Sequence, residues 1–390
     1  MMKFGWKTAK FKDVSTVVGG STPKTDIPEY WGGDNYWVAP AELDGSKYIS
    51  STVKHITDLA VSKTNLTLLP QGTVLLSSRA PIGKVAITTV PMYCNQGFKN
   101  IVCGPELFNG YVYYFLRHNV NYLQSLGTGA TFKEISKKVV ENVSISYPSL
   151  AEQQRIVDEL DLLSDIIDKK KAQLRDLDAL AQSIFYEMFG DPALNDKGWP
   201  VKLISDLYDV GSSKRVFESE WRDSGVPFYR AREIVRLSKG LPLEDPIYIE
   251  ESLFASYKEK YGIPTAGDIM VTGVGTLGVC YLVKNEDRFY FKDGNTLWFR
   301  DKHIANSRFI KDQFSTDFVK NQIKENSHGA TVGTYTIMTA KKTRVICPPI
   351  EIQNQYEVKV AEIDSRIKLI ESSLKQVQAL FESRMDSYFG

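Results

Sequence analysis

Two stretches of the chain share one hydrophobic rhythm. From Ile156 the positions of one stripe recur at alternating steps of four and three, through Leu160, Leu163, Ile167, Lys170, Leu174, Leu177, Ala181, Ile184 and Met188, Lys170 being its single charge. The same steps run through Tyr356, Val360, Ile363, Ile367, Ile370, Leu374, Val377, Phe381, Arg384 and Tyr388. A mean spacing of about 3.5 residues, held over about four heptads without Pro or Gly, is what two helices need to bury a shared stripe. The pattern predicts two long helices that pair through Ile156, Leu160, Leu163, Ile167, Leu174 and Leu177 on one and Val360, Ile363, Ile367, Ile370, Leu374 and Val377 on the other.

The two stretches are copies. Shifted by two hundred positions, 148–190 and 348–390 share nine identities in forty-three, among them Pro148 with Pro348, Gln153 with Gln353 and Gly190 with Gly390. Each helix could instead pack on its own globular neighbour, but the shared register and ends favour one structural part used twice. With a globular segment between them, the easy pairing is antiparallel, which would relate the halves by a pseudo-two-fold axis.

The intervening segments alternate short β-branched and aromatic runs with Gly, Pro and Asn. In the first, 11–18 reads as a strand, followed by the loop 19–24, the aromatic runs 30–33 and 36–38, and a strand within 72–79. A helix is expected over 110–124, with Val112, Phe115, Leu116, Val120 and Leu123 on one face, then a polar loop over 127–133 and a strand over 143–147. The second segment replays this order: Trp199 echoes Trp6, 210–215 echoes the loop at Gly19, 267–272 echoes 72–77, and a helix is expected over 309–323. The expected fold is α+β, with two β-rich globular domains in tandem (1–147 and 191–347), each followed by a long helix (148–190 and 348–390), the helices forming an antiparallel coiled coil.

Composition adds limits. With 43% hydrophobic and 24% charged residues the chain reads as globular and soluble. No apolar run reaches membrane-spanning length, the first residues resemble no signal peptide, and Cys94, Cys103, Cys280 and Cys347 lack paired spacing, so reduced thiols in the cytoplasm are expected. Net charge divides as +5 over 1–147, −4 over 148–190, +2 over 191–347 and −2 over 348–390. A nucleic-acid footprint would therefore sit on the globular parts and not on the acidic helices.

The search for catalytic chemistry is negative. Residues 273–278 spell Gly-Val-Gly-Thr-Leu-Gly, the dinucleotide fingerprint, but a strand-like run follows where a helix should receive the pyrophosphate, so a tight β-turn is the expectation. No Gly-Lys-Ser/Thr loop is present, His55, His118, His303 and His328 lack metal-ligand spacing, and no Asn/Asp-Pro-Pro-aromatic tetrapeptide marks an amino-methyltransferase. Duplicated readers on a fixed spacer suit an extended, two-fold ligand. Double-stranded DNA offers half-sites about 34 Å apart, within the span of a helix of about 35 residues, roughly 50 Å.

The order of motifs along the whole chain resembles the specificity subunit of type I restriction-modification systems. The residues that carry it are 127–132, 148–156 (Pro-Ser-Leu-Ala-Glu-Gln-Gln-Arg-Ile) and 188–192, and in the second half 329–331 and 348–355, where Ile352-Gln353 departs from the family's Glu-Gln. The resemblance implies a non-catalytic subunit whose globular halves are target recognition domains, each reading one part of a split asymmetric sequence. It implies helices that set the spacing and dock two modification subunits, with restriction subunits joining that core. It also implies that S-adenosylmethionine, ATP and Mg belong to those partners and that no metal or cofactor belongs to this chain.

Candidate DNA contacts are the polar and basic residues of the recurring loops. In the first half these are Ser21, Lys24, Ser78, Arg79, Lys84, Asn95, Gln96, Thr131 and Lys133; in the second, Lys214, Arg215, Arg230, Arg232, Thr272, Thr276, Lys292, Asn295 and Thr331. Arg can fork onto guanine and Asn or Gln onto adenine, whereas Lys and Thr more often hold phosphates. The rival readings are the specificity subunit of a related system with fused modification and cleavage subunits, a coiled-coil scaffold whose β-rich domains bind protein or glycan, and a stand-alone enzyme.

Overall fold

The structure, a computed structural model, describes residues 5–79, 81–129, 133–325 and 333–390. The chain forms two compact units, one from 1–172 with 370–390 and the other from 173–369.

In the first unit, strand Lys7–Lys10 pairs antiparallel with Ser144–Tyr147, which leads into the first long helix. A five-stranded sheet runs Ser15–Gly19, Lys99–Cys103, Val74–Leu76, Val85–Thr88 and Tyr48–Ile49. A smaller sheet centres on Trp31–Val38, antiparallel to Lys54–Ile56 and parallel to Tyr93–Cys94. The second unit repeats the scheme. Val201–Leu203 pairs with Arg344–Ile346, and a four-stranded sheet runs Tyr208–Gly211, Thr296–Asp301, Ile269–Thr272 and Cys280–Leu282. Val226–Tyr229 lies antiparallel to Ile247–Ile249 and parallel to Tyr290–Phe291. Apart from the parallel edge strand Tyr48–Ile49 of the first unit, two segments with little sequence in common thus reach corresponding pairings in the same senses, which is the α+β tandem that the repeat predicts.

The long helices run Leu150–Phe189 and Ile350–Phe389. The first stops at Gly190, whose φ of +73° places it in the left-handed region that a side chain disfavours. Inside the first unit the helices run antiparallel: Arg155 donates to the Tyr388 hydroxyl at 3.5 Å, and Glu159, one turn on, pairs with Arg384, one turn back, at 2.9 Å. Inside the second unit Phe185 and Phe189 close on Tyr356, with ring centres 5.7 and 5.3 Å apart. The stripe also serves the globular cores. Ile156, Leu160 and Leu163 are buried in one cluster with Val112 and Tyr114 as well as Phe381 and Met385, while Tyr356 and Val360 share a cluster with Phe309 and Val345. The middle of the stripe, including Leu174, Leu177, Ile367 and Leu374, is half-buried.

Each helix is bonded to its globular part at equivalent places. Buried Gln153 accepts from the Phe108 amide at 2.8 Å and donates to the Glu106 and Pro148 carbonyls at 2.9 and 3.0 Å. Buried Gln353 accepts from the Asn306 amide at 2.9 Å and donates to the Pro348 carbonyl at 2.6 Å. Phe108 and Asn306 are the N-caps of helices Asn109–His118 and Ser307–Gln313, so the repeated Gln fastens the start of one helix to the start of another. About two turns further along, Lys47 reaches Asp161 at 2.5 Å and Tyr114 donates to the same carboxylate at 2.5 Å. In the second unit Arg308 bridges Asp312 and Asp364.

Three sequence expectations change. Residues 11–18 split into a helical turn, Phe11–Val14, and a strand, Ser15–Gly19, because the Phe11 ring is wholly buried and its amide donates to the Val143 carbonyl. The helix over 110–124 breaks at Asn119, whose side chain donates to the Phe115 carbonyl, giving Asn109–His118 and Val120–Ser125. The helix over 309–323 likewise divides into Ser307–Gln313 and Asp317–Glu325, with the Thr316 hydroxyl on the Gln313 carbonyl between them.

Candidate nucleic-acid interface

The Gly-rich run 273–278 is the turn of a hairpin between strands Ile269–Thr272 and Cys280–Leu282, not a phosphate loop before a helix. Buried Thr272 fixes it: its hydroxyl accepts from the Val279 amide at 3.0 Å and donates to the Thr276 carbonyl, and the Gly278 amide returns to the Thr272 carbonyl. The first unit builds the same turn with Ser77, which accepts from the Lys84 amide and donates to the Pro81 carbonyl, both at 2.8 Å, and with Gly83 returning to Ser77. Gly83 and Gly278 both have positive φ, +102° and +74°.

Beside this turn the first unit gathers most of its predicted contacts. Gly20 lets the loop touch the 94–95 backbone, where an added Cβ would sit 1.9 Å from the Asn95 carbonyl oxygen. Asn95 donates to Thr22 at 2.9 Å and accepts from the Gly97 amide at 2.7 Å, and Thr22 in turn donates to Gln96. Arg79 and Lys99 share Glu134, at 2.7 and 3.3 Å, and Lys99 also donates to the Ser78 hydroxyl and the Gln96 carbonyl. The Arg79 bond and then Lys99 hold the Glu134 carboxyl below the usual range. Lys24 and Lys133 are exposed, and Ser21 is partly so.

Two of the predicted contacts in this unit turn inward. Ser78 is fully buried, and Lys84 directs its ammonium to the Pro40 and Leu43 carbonyls at 3.3 and 2.8 Å, so both hold the fold and present no group to a ligand.

In the second unit the loop after Gly211 is tied by Ser212 to the Thr296 carbonyl and by Ser213 to the Phe291 carbonyl. Exposed Lys214 and Arg215 follow, with Arg215 on Asp293 at 2.9 Å. Arg230 and Lys292 flank the Trp221 ring, 5.9 and 5.8 Å from its centre. Arg230 and Arg232 both bond Glu233, each at 2.8 Å, and Glu233 also accepts from the Arg230 amide. Thr276 is exposed on the hairpin turn and Asn295 lies at its base, accepting from the Gly273 amide, whereas Thr272 is buried and stays internal. Thr131 and Thr331 lie outside the described residues.

Sequence reasoning missed Trp221, Glu233, Thr22, Lys99 and Glu134. The signal for Trp221 was present: Trp31 stands eleven residues after Gly20 and Trp221 ten after Gly211, each directly after a three-residue 3-10 turn. Trp31 is flanked likewise, by Lys54 at 5.5 Å, and donates to the Lys24 carbonyl. A cation over an indole face is attractive in itself and leaves charged edges near the surface.

Burial pushes the Glu233 carboxyl up, but hydrogen bonds from Arg230 and Arg232 outweigh it and the net shift is downward. A depressed folded-state value stabilises above the unfolded pKa of about 4.3 and the benefit is lost as pH falls through the folded value. Thermal melting of the second unit should therefore weaken below about pH 4, and Glu233→Gln should remove that acid-sensitive portion while lowering stability at neutral pH. An unchanged pH profile in the variant would refute the assignment.

Among the described residues no group of three or more His, Cys, Asp or Glu side chains is placed to hold a metal ion, and no helix is long and apolar enough to cross a membrane. All four cysteines are free, and burial pushes the thiols of Cys94 and Cys103 up to about 12.

Comparison with known proteins agrees with this duplication. The model of the type I restriction modification DNA specificity domain matches twice, over residues 4–177 and 196–379. The type I restriction enzyme MjaIX specificity subunit of Methanocaldococcus jannaschii is 37% identical over 276 residues, which take in 65% of this chain and 63% of the relative, a little under two thirds of its length. The EcoKI specificity subunit of Escherichia coli K12 is 27% identical over 205 residues, half of this chain and 43% of the relative. Among solved structures, the S subunit of a type I restriction-modification system from M. genitalium superposes over 99% of this chain and 96% of its own with a TM-score of 0.62 at 14% identity, a likeness of fold.

Proposed function

The chain belongs to the type I restriction-modification DNA specificity family, with two copies of its domain, and on that premise we propose that it is the non-catalytic sequence-specificity subunit of a type I complex. Each unit reads one half of a bipartite, asymmetric site in double-stranded DNA. The long helices, forty residues each and so about 60 Å from end to end, set the distance between the half-sites and dock two methyltransferase subunits. S-adenosylmethionine is held by those subunits, and ATP and Mg by restriction subunits that join them. The complex works in the cytoplasm.

The observation that supports this best is the repeated placement. In both units the same hairpin turn, fixed by Ser77 or Thr272, stands beside the loop that follows the first strand of the larger sheet, and polar and cationic residues gather there. Divergent side chains on a shared frame are what two readers of unlike sequences require. Glu134 and Glu233 orient the arginines and hold them until DNA competes. On Arg230, Glu233 takes Nε and Nη2, leaving Nη1 as the edge for a ligand.

The test is co-expression with the methyltransferase subunit followed by genome sequencing for methylated adenine. Two short defined blocks around a fixed undefined spacer are expected, and an intact complex that adds no methylation would overturn the proposal. Arg79→Ala and Arg232→Ala should each weaken or relax one block only, by about 1–3 kcal/mol for a base contact. Equal loss on unrelated DNA would reassign the residue to a phosphate.

A further inference from the structure

A cleft of about 380 Å³ opens in the second unit beside the loop after Gly211, and its chemistry differs from the ion-paired cluster at Trp221. Lys214, Lys260 and Arg300 line it together with the rings of Tyr261 and Trp298, and no acidic side chain does so among the described residues. Antiparallel pairing sets Gly211 opposite Trp298, so the loop starts against this wall. On the other side Gly262, at a φ of +77°, brings the end of helix Glu251–Tyr261 so close that an added Cβ would stand 3.4 Å from the Trp298 ring.

The three cations are weakly neutralised. The Lys214 ammonium is 6.0 Å from the Tyr261 ring centre, and Lys260 is exposed. Arg300 lies over Trp298, 4.1 Å from the ring centre, with Asp209 at 3.4 Å and its buried Nε without a hydrogen-bond partner. Since Arg300 covers the indole face, that ring is not open for a base to stack on. What the cleft offers is positive charge held on rigid aromatic supports, which selects an anion. In the first unit Val74 pairs with Ile101 as Ile269 pairs with Phe299, so Val102 and Asn100 stand where the second unit has Arg300 and Trp298, and the nearby Lys99 ammonium is engaged by Glu134 and Ser78. The feature is therefore peculiar to the second unit.

We infer that this cleft is a phosphate clamp: it grips a backbone phosphodiester of the DNA next to the second unit's half-site, whatever the base sequence there. The inference rests on the DNA-reading function proposed above. The clamp should show in salt dependence, because each phosphate contact releases condensed counterions and adds about 0.9 to the slope of log affinity against log salt. The chain, co-purified with its methyltransferase subunits, is titrated by fluorescence anisotropy onto a duplex carrying the methylated motif and onto a scrambled duplex, over about 50–200 mM KCl. Lys260→Ala and Arg300→Ala should each flatten the slope by about 1 and weaken both duplexes by a similar factor, while Lys239→Ala, outside the cleft, should not. Lys260 is exposed, so its variant reports on binding and not on folding. Unchanged slopes in both variants, or a loss confined to the motif duplex, would overturn the clamp. A parent complex that binds both duplexes equally would instead overturn the proposed function, and the variants' slopes would still decide the clamp.

Discussion

Asp161→Ala is expected to cost the first unit about 3 kcal/mol, the lower end of what removing one partner of a buried ion pair costs, since Asp161 keeps about a third of its side chain exposed. Lys47 is the reason: its side chain is only 14% exposed, and its ammonium sits 5.0 Å from the Tyr114 ring centre. Without Asp161 that charge and the Tyr114 hydroxyl would lose their anionic partner. In calorimetry the first unit should melt lower by about 6–12 °C while the second keeps its transition. Burial already pulls the Lys47 ammonium below its ordinary value, against the pull of Asp161. In that window the unfolded chain binds more protons, so stability rises with pH, and the window should widen toward lower pH in the Asp161 variant. Lys47→Met combined with Asp161→Leu should recover most of the loss; failure to do so would show that shape and not charge pairing holds the contact.

Gln153→Leu is expected to cost a similar amount, about 3 kcal/mol, because it strands the half-buried Phe108 amide and two carbonyls, each orphaned group costing about 1–3 kcal/mol before relaxation. Gln353→Leu should act on the second unit alone, and less, since its bonds are to one amide, one carbonyl and, at 3.8 Å, the Cys347 sulfur. Chemical denaturation followed by two fluorescence probes, one per unit, checks both. A loss shared equally by the two units in either variant would contradict the local role.

The repeated Gln shows what the sequence disclosed. Its identity at a spacing of two hundred announced a shared part, and the stripe that follows announced helices, since both are patterns local to one element. Which residues of the recurring loops face outward was hidden, because an outward or inward turn depends on strands brought together from far along the chain. Ser78 and Thr272 look like loop hydroxyls in a list of residues, yet hairpin pairing buries them. Lys84 looks like a free cation, yet carbonyls of Pro40 and Leu43 collect it. Conversely Glu134 and Glu233 repel attention in a search for DNA contacts, although they orient the arginines that such a search selects. The break at Asn119 was equally out of reach, since the apolar face continues through it and only a side chain bonded back onto the helix interrupts the backbone.

The first unit is assembled from two pieces of chain, and Phe381, Met385 and Phe389 from the later piece fill a core whose members from the earlier piece end at Ile167. During synthesis this core stays open until more than two hundred further residues have left the ribosome. The intervening segment, 173–369, is complete before then and can fold as a loop closed on itself. The usual order of synthesis, in which the earlier domain finishes first, is thus inverted. The first unit's core closes only after the whole of the second unit has been made, so a chain cut short in its last turns is left with an open first core and an intact second one.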